Sequence, residues 1–474
     1  MNARIAAPPI PALEWVNTDE PPDLEQLRGR VTLLYFWTFD CVNCINALPD
    51  VRYLENKYHD GLSVIGVHTP KYPAQRSAAS VLKAVNRNHI RYPVANDPGY
   101  ALWQAYGAQS WPTLAVIDAQ GQLTALLPGE GRRPEADTLI AQLLDEAAAS
   151  DLRVYESGAS VVRREAPTSL SFPGKLLATD TALWIADSGQ NRILECDHDG
   201  RVLRQIGSGN PGYWDGRGAD AGFSNPQGMA LIKDALIVAD TGNHALRRVR
   251  LLNAEVETLA GTGELGRDIP HDYSDPTKVA MSAPTDVAAL GDFLYIAVSG
   301  QNQIWQLDLN VNQLSVLAGN GQLALADGDG MLASFAQPSS LSVIGQQLAI
   351  ADAASSSIRL LRLLDKRVTT LIGAGLYDFG DVNGKRDVAR LQHPLAVAAD
   401  ARGLIFVADT YNGKIKALNM RSGEVRTLNM PYRFEEPAGL SLAAGALWIS
   451  NTNAHEVVRV DLSSGKMKRL TIGE

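Results

Sequence analysis

Cysteine is scarce in this chain of 474 residues, which contains only Cys41, Cys44 and Cys196. A secreted protein stapled by disulfides needs a much denser set of cysteines, so that class is excluded. A cytosolic (cytoplasmic) location is therefore the default expectation. In that compartment a C-x-x-C pair indicates catalysis or metal binding rather than a structural bridge.

Long hydrophobic runs and an excess of positive charge are also missing. No stretch approaches the roughly 18 apolar residues of a membrane-spanning helix. The opening MNARIAAPPIPALEWVN lacks the continuous apolar segment of a secretory signal. With 43 Lys and Arg against 52 Asp and Glu, the net charge is −9, which leaves no broad basic field to bind phosphates. We expect neither membrane nor nucleic acid as a partner.

Residues 31–150 alternate strand and helix patterns. VTLLYFW (31–37) and LSVIGVH (62–68) are continuous apolar runs, typical of buried parallel strands. Between them, apolar residues recur at three- and four-residue steps, which predicts a helix. The order is completed by a helix over 75–88, a hairpin over 113–127 and a closing helix over 136–149. This pattern predicts an α/β domain with a mixed sheet.

From about residue 170, helical patterns give way to six similar units made only of strands. Equivalent positions at the end of an apolar strand recur every 42 to 58 residues; they are Asp187, Asp240, Val298, Asp352, Asp409 and Asn451. A second landmark precedes a short apolar strand in each unit; it consists of Pro173, Pro226, Pro284, Pro338, Pro394 and Pro437. Strand-only units at this period predict an all-β, six-bladed β-propeller.

The predicted chain is therefore multidomain. Its predicted parts are an extension (1–30), the α/β domain (31–150), a linker (151–169) and the propeller (170–474). In the linker, RVYES or SVVRR is expected to pair with the last blade and close the ring.

Glycine-rich, acidic segments such as 207–228 and 319–340 join several of the blades. They are expected on one face, either as partner-binding loops or as turns between blades. ADGDGM (326–331) alternates carboxylates with glycine but lacks the terminal Glu of a calcium loop, so a turn is the favoured interpretation.

The position of the cysteine pair favours redox chemistry. Cys41 follows a buried strand where a helix begins, so backbone N–H groups and the helix dipole favour its thiolate. Cys44 lies one turn later and can resolve a mixed disulfide formed at Cys41. A zinc site would need two further ligands, but Cys196 is distant and the eight histidines are scattered. We expect no metal or other cofactor, and we interpret Cys196 as a thiol without function.

Three segments resemble the thioredoxin fold, and especially its TlpA-like reductase branch: FWTFDCVNC…LPDVRYLENKY (36–58), VIGVHT (64–69) and YPVANDPGYALWQAYGAQSWPTLAVIDAQGQL (92–123). The resemblance implies that Pro112 is the cis-proline facing the cysteine pair, where backbone groups can bind an extended substrate strand. Trp111 would flank the dithiol, or serve only as a packing aromatic.

The repeats resemble NHL repeats. The whole chain is therefore similar to a family in which a thioredoxin-like domain precedes an NHL-type propeller. That family is named for its architecture and not for a settled reaction, so the resemblance implies little about activity.

Several residues depart from the usual Trp-Cys-Gly-Pro-Cys pattern of the thioredoxin family. Asp40 places a carboxylate beside Cys41, which opposes thiolate formation, and no proline separates the cysteines. Tyr35 stands where thioredoxins carry a buried acid. His68 ends the second parallel strand at the same sheet edge, either as a group for proton transfer or as a packing residue.

Three functions follow from these patterns. The first is a dithiol oxidoreductase, with Cys41 attacking, Cys44 resolving and the propeller binding a protein partner. The second is a non-catalytic interaction scaffold with a degenerate thioredoxin domain. The third is a propeller enzyme with a metal-bound channel, which is disfavoured because the central strands offer few acidic or histidine side chains.

Overall fold

A computed structural model describes residues 5–155, 168–266, 272–273 and 275–473 of the chain. It divides into two units, residues 1–166 and 167–474. Within the described ranges, no helix is long and apolar enough to cross a membrane.

The first unit is an α/β domain with one seven-stranded sheet in the order β1-β7-β6-β3-β4-β5-β2. Its elements are β1 (Ile5–Ala6), β2 (Glu14–Val16), β3 (Val31–Trp37), α1 (Val42–Lys57), β4 (Leu62–His68), α2 (Ala78–Arg87), β5 (Val94–Asn96), α3 (Ala101–Ala105), β6 (Thr113–Ile117), β7 (Gln122–Pro128) and α4 (Arg133–Ala149).

The centre of this sheet agrees with the sequence pattern. β3 is fully buried and pairs in parallel with β4 and antiparallel with β6. Its side chains Leu34 and Phe36 pack with Ile65 and Val67 of β4 in one apolar cluster. The continuous apolar runs therefore mark buried strands, as predicted.

The edges of the sheet differ from the sequence pattern. Residues 5–30, predicted as an extension, supply the edge strands β1 and β2. β5 was not predicted, because a strand of three residues is too short for periodicity to reveal. The helix predicted from residue 75 begins at Ala78, since the Ser77 hydroxyl caps it by accepting from the Ser80 amide at 3.1 Å.

The second unit consists, in its described residues, of six antiparallel sheets, each built from a continuous segment of chain. The strands of blade 1 are β8 (Leu176–Ala178), β9 (Leu183–Asp187), β10 (Arg192–Cys196) and β11 (Val202–Ile206). Those of blade 2 are β12 (Gly216–Arg217), β13 (Pro226–Ile232), β14 (Ala235–Asp240), β15 (Ala245–Arg250) and β16 (Glu255–Ala260). Those of blade 3 are β17 (Asp272–Tyr273), β18 (Pro284–Leu290), β19 (Phe293–Val298), β20 (Gln303–Asp308) and β21 (Gln313–Ala318).

The remaining three blades repeat this arrangement, so the six-bladed propeller is confirmed. Blade 4 comprises β22 (Gly328–Asp329), β23 (Pro338–Ile344), β24 (Gln347–Asp352), β25 (Ser357–Arg362) and β26 (Arg367–Ile372). Blade 5 comprises β27 (Gly384–Lys385), β28 (Ala396–Ala399), β29 (Leu404–Asp409), β30 (Lys414–Asn419) and β31 (Glu424–Thr427). Blade 6 comprises β32 (Pro437–Ala443), β33 (Ala446–Asn451), β34 (Glu456–Asp461) and β35 (Met467–Leu470).

Blade 6 meets blade 1 and closes the ring. The Thr452 hydroxyl donates to the Pro173 carbonyl at 2.8 Å, and the Val202 amide donates to the Gly473 carbonyl at 2.7 Å. Of the linker predicted to perform this closure, residues 156–167 lie outside the described residues. The Val154 amide, just before them, donates to Gly29 of the first unit at 2.9 Å.

In five of the six blades, a polar side chain at the end of the second strand binds the segment before the inner strand. In five blades a side-chain oxygen at this position accepts a backbone N–H at 2.7 to 2.8 Å; the acceptors are Asp187, Asp240, Asp352, Asp409 and Asn451. Blade 3 has Val298 instead, and there Gln301 Oε1 accepts the equivalent bond from the Ser282 amide at 2.9 Å.

The replacement in blade 3 extends to a second position. In blades 2, 4 and 5 the repeated acid pairs with a buried cation seven residues later; the cations are Arg247, Arg359 and Lys416. Blade 3 carries the fully buried Trp305 at this position, so an apolar pair, Val298 and Trp305, stands where blades 2, 4 and 5 have ions.

The acidic segments between blades bind these same cations. Asp327, in ADGDGM, accepts from Arg359 at 3.0 Å and from the Thr370 hydroxyl at 2.7 Å. Asp215 contacts Arg247 at 2.8 Å in the same way. The Asp327 carboxylate is therefore engaged by the protein itself, and the next two residues of ADGDGM form β22 rather than a turn.

Candidate functional site

The cysteine pair lies where β3 leads into α1. Cys41 is the N-cap of α1, and its Sγ accepts a hydrogen bond from the Cys44 amide at 3.3 Å. Cys44 is fully buried one turn into the helix, and only 3% of the surface of Cys41 is exposed. The predicted placement of both thiols at a helix start is confirmed.

The two thiols differ in acidity. A hydrogen bond from the Cys44 side chain lowers the pKa of Cys41 most, and the positive charge of Lys71 and the Cys44 amide lower it further, against burial and the charge of Asp40. Burial raises the pKa of Cys44 well above its ordinary value, and a charged Cys41 raises it further. This asymmetry suits Cys41 to attack and Cys44 to remain protonated until needed.

The loop that carries Pro112 lies against Cys41. The Trp111–Pro112 peptide bond is cis, as the resemblance implied, and the Trp111 carbonyl lies 3.7 Å from Cys41 Sγ. The Trp111 indole N–H donates to the Thr69 carbonyl at 3.1 Å, and its ring packs on Trp103 with 4.2 Å between centroids. Trp111 therefore packs as an aromatic and also borders the dithiol.

Asp40 is held in a polar network that the sequence analysis missed. Its Oδ1 accepts from the Thr38 hydroxyl at 2.8 Å and from Gln75 Nε2 at 2.6 Å. Its Oδ2 lies 3.3 Å from Lys71 Nζ. The Asp40 side chain is fully buried, and Lys71 and Gln75 compensate its carboxylate.

Lys71 and Gln75 come from the loop that follows β4. Gln75 Oε1 accepts from the Lys71 amide at 2.8 Å and so fixes this loop beside the site. Burial alone would lower the pKa of Lys71, but Asp40 and the two thiols raise it overall, which keeps the ammonium charged. Because adjacent parallel strands end at the same sheet edge, the polar residues of KYPAQ could have been recognised as neighbours of the cysteines.

Tyr35 lies beneath the pair on β3. Its hydroxyl donates to the Cys44 carbonyl at 2.6 Å, and burial raises its pKa well above the ordinary value. Tyr35 is therefore a neutral hydrogen-bond donor where thioredoxins carry an acid.

His68 ends β4 and is fully buried. Its ring stacks on Phe39, with 5.1 Å between centroids, and meets the edge of Trp37 at 5.5 Å. Burial lowers the pKa of His68 to about 4, so the ring is neutral at pH 7. The position at the sheet edge agrees with the sequence, whereas proton transfer by His68 stays a prediction.

Cys196 belongs to the propeller and not to the dithiol motif. It is fully buried on β10 of blade 1, and burial raises its pKa to about 12. A thiol in this environment is unreactive at neutral pH.

Fold and site together define a thioredoxin-like dithiol domain joined to a six-bladed propeller. Residues 6–140 match the Redoxin family. The chain is 33% identical over 523 residues to NHL repeat-containing protein 2 of Homo sapiens, an alignment that covers 99% of this chain and 72% of that protein. The chain belongs to the family of NHL repeat-containing protein 2.

Two other relatives are informative. Protein SUPPRESSOR OF QUENCHING 1, chloroplastic, of Arabidopsis thaliana is 37% identical over 493 residues, which span 96% of this chain but less than half, 46%, of the plant protein. Thiol-disulfide oxidoreductase YkuV of Bacillus subtilis is 32% identical over 120 residues, covering 24% of this chain and 80% of that protein. Because the plant relative is named for the chloroplast, the cytosolic location of this chain stays a prediction.

Proposed function

We propose that this protein is a thiol–disulfide oxidoreductase in which Cys41 attacks a disulfide and Cys44 resolves the intermediate. The observation that carries the proposal is the unequal pair: a Cys41 sulfur that accepts the Cys44 amide, above a buried and protonated Cys44. The similarity to a bacterial thiol-disulfide oxidoreductase supports it.

The reaction proceeds in two exchanges. The Cys41 thiolate attacks one sulfur of the substrate disulfide, forms a mixed disulfide and releases the other substrate sulfur as a thiolate. Cys44 then loses its proton to water and attacks Cys41 Sγ, which forms the Cys41–Cys44 disulfide and releases the second substrate thiolate. The substrate gains two electrons, and an external dithiol must return two electrons to the protein before the next turnover.

In this proposal the propeller binds the protein partner. Support comes from large apolar side chains that the segments between blades expose to solvent, including Trp214, Leu332 and Tyr377. Exposed aromatic side chains such as Trp214 and Tyr377 are enriched in surfaces that bind another protein. A cytosolic protein disulfide is the substrate class we propose.

The redox proposal is tested by comparing Cys41→Ser with Cys196→Ser in a disulfide reductase assay on the full chain. We expect Cys41→Ser to abolish activity and Cys196→Ser to retain it, because Cys196 is buried and unreactive. Reductase activity that survives in Cys41→Ser would contradict the proposal.

The role of the propeller is tested separately with Cys44→Ser, which should accumulate the mixed disulfide. Adding Leu332→Ser and Tyr377→Ser should slow the trapping of a protein disulfide at least severalfold and leave trapping of a small aromatic disulfide unchanged. Equal rates for the protein substrate would contradict a binding role for these loops.

A non-catalytic interaction scaffold is the second candidate, favoured by the 3% exposure of Cys41, which restricts the approach of a disulfide. Under this function, Cys41→Ser/Cys44→Ser would bind partners as well as the unaltered chain does. Loss of partner binding in that variant would contradict the scaffold.

A further inference from the structure

A buried carboxylate adjoins the attacking thiol, and the partly exposed ammonium of Lys71 faces that carboxylate. We propose that Lys71 is a positioning residue of the dithiol, which compensates Asp40 and supplies the positive charge that stabilises the Cys41 thiolate. This inference deepens the proposed function and rests on it for its consequence in turnover.

Lys71 lies close to both Asp40 and Trp111. Lys71 Nζ lies 3.3 Å from Asp40 Oδ2 and 5.4 Å from the centroid of the Trp111 ring. Trp111 also presents its carbonyl to Cys41 Sγ at 3.7 Å. The ammonium therefore lies near both Asp40, which precedes Cys41 in the chain, and Trp111, whose carbonyl borders the Cys41 sulfur.

The charges of Asp40 and Lys71 act on Cys41 in opposite directions. A fully buried carboxylate beside a thiol disfavours a second negative charge, so Asp40 alone would suppress the thiolate. The adjacent Lys71 ammonium offsets this repulsion. The Asp40–Lys71 pair has a net charge near zero, so the Cys41 thiolate forms without a second uncompensated negative charge. Gln75 and Thr38 hold the carboxylate in place, and Gln75 also holds the Lys71 backbone.

Other ionisable groups that interact with Cys41 or Asp40 do not supply this positive charge. Tyr35, from β3, and Cys44, from α1, are neutral when protonated and negative when ionised. His68, from β4, is held neutral by burial between Phe39 and Trp37, although the negative charge of Asp40 raises its pKa in the opposite direction. Among these neighbours, Lys71 is the cation.

The test measures thiolate formation directly and does not require turnover. In the full chain carrying Cys44→Ser and Cys196→Ser, Cys41 is the single thiol, and its alkylation by iodoacetamide is followed by intact mass from pH 5 to pH 10. We expect Lys71→Met to raise the midpoint by about one pH unit and to slow alkylation at pH 7 about tenfold. Lys71→Arg should restore the original midpoint.

A matched control is Lys57→Met, which removes an exposed lysine of α1 that pairs with Asp137 at 2.7 Å. It should leave the midpoint unchanged. A folded Lys71→Met protein with an unchanged midpoint would overturn the inference.

If Lys71→Met alone fails to fold, Asp40→Asn and Asp40→Asn/Lys71→Met provide a comparison without an unpaired buried carboxylate. Asp40→Asn should lower the midpoint, and the double variant should lie about one pH unit above Asp40→Asn. Equal midpoints in these two variants would overturn the inference. A shifted midpoint in a protein without any reductase activity would instead retain the role of Lys71 and contradict the proposed function.

Discussion

The Cys44 amide donates to the Sγ of Cys41 at 3.3 Å, and this bond adds to a larger effect of the Cys44 side chain in lowering the pKa of Cys41. The side chain of Cys44 is fully buried, and the Tyr35 hydroxyl donates to the backbone carbonyl of Cys44. One helical turn thus makes two chemically different thiols from two identical residues.

The two thiols are expected to react at different rates. Because the pKa of Cys41 is lowered and that of Cys44 is raised, limited alkylation of the reduced protein at pH 7 should modify Cys41 at least tenfold faster. Peptide mass spectrometry after partial reaction measures the ratio. Equal labelling of the two cysteines would contradict the asymmetry.

A fall in pH should reduce the stability of β4, the strand that carries His68. The unfolded chain binds a proton at His68 below pH 6.5, while the folded chain, with a pKa of about 4, does so only in stronger acid. Stability contributed by the neutral, buried ring is present above pH 6.5 and is lost as the pH falls toward 4. From pH 7 to pH 5 the loss is about 2 kcal/mol.

Hydrogen exchange of a β4 peptide at pH 5 and pH 7, corrected for the intrinsic rate, measures this loss. His68→Gln should remove most of the pH dependence, and His59→Gln, at an exposed position, should retain it. A pH dependence that persists in His68→Gln would assign the effect to another group.

The apolar pair of blade 3 should not accept the acid found in its neighbours. Val298→Asp would bury a carboxylate against Trp305, with no cation at that position, and should reduce the free energy of unfolding by about 3 kcal/mol. Val298→Asp/Trp305→Arg should recover part of this loss.

Urea unfolding of the full chain measures the effect, with Val311→Asp as the control, since Val311 lies in an exposed turn of the same blade with 64% of its surface accessible. A Val298→Asp protein as stable as this control would contradict the explanation of the blade 3 exception.

Much of the fold could be predicted because its signals are local. The strands over 31–37 and 62–68 were predicted to the residue, since both are buried on two faces and their sequences are continuously apolar. β5 and the edge strands β1 and β2 escaped notice because two or three residues carry no measurable period.

The site likewise contains residues that the sequence predicts and residues that it does not. Cys41, Cys44 and Pro112 belong to recognisable motifs, whereas Lys71 and Gln75 act across space from a loop that shares no motif with Asp40. The sequence indicates that Asp40 opposes the thiolate, which is correct in sign. The compensating charge becomes evident only once the ends of β3 and β4 are brought together.

The reduction potential of the Cys41–Cys44 pair tests the central claim most directly. The full chain is equilibrated in graded thiol buffers, its free thiols are trapped by alkylation, and the products are weighed. Thiol exchange predicts a reversible two-electron transition at about −200 to −300 mV, with both alkyl groups lost together. A protein that forms no Cys41–Cys44 disulfide at any poise would contradict the redox function and favour the scaffold.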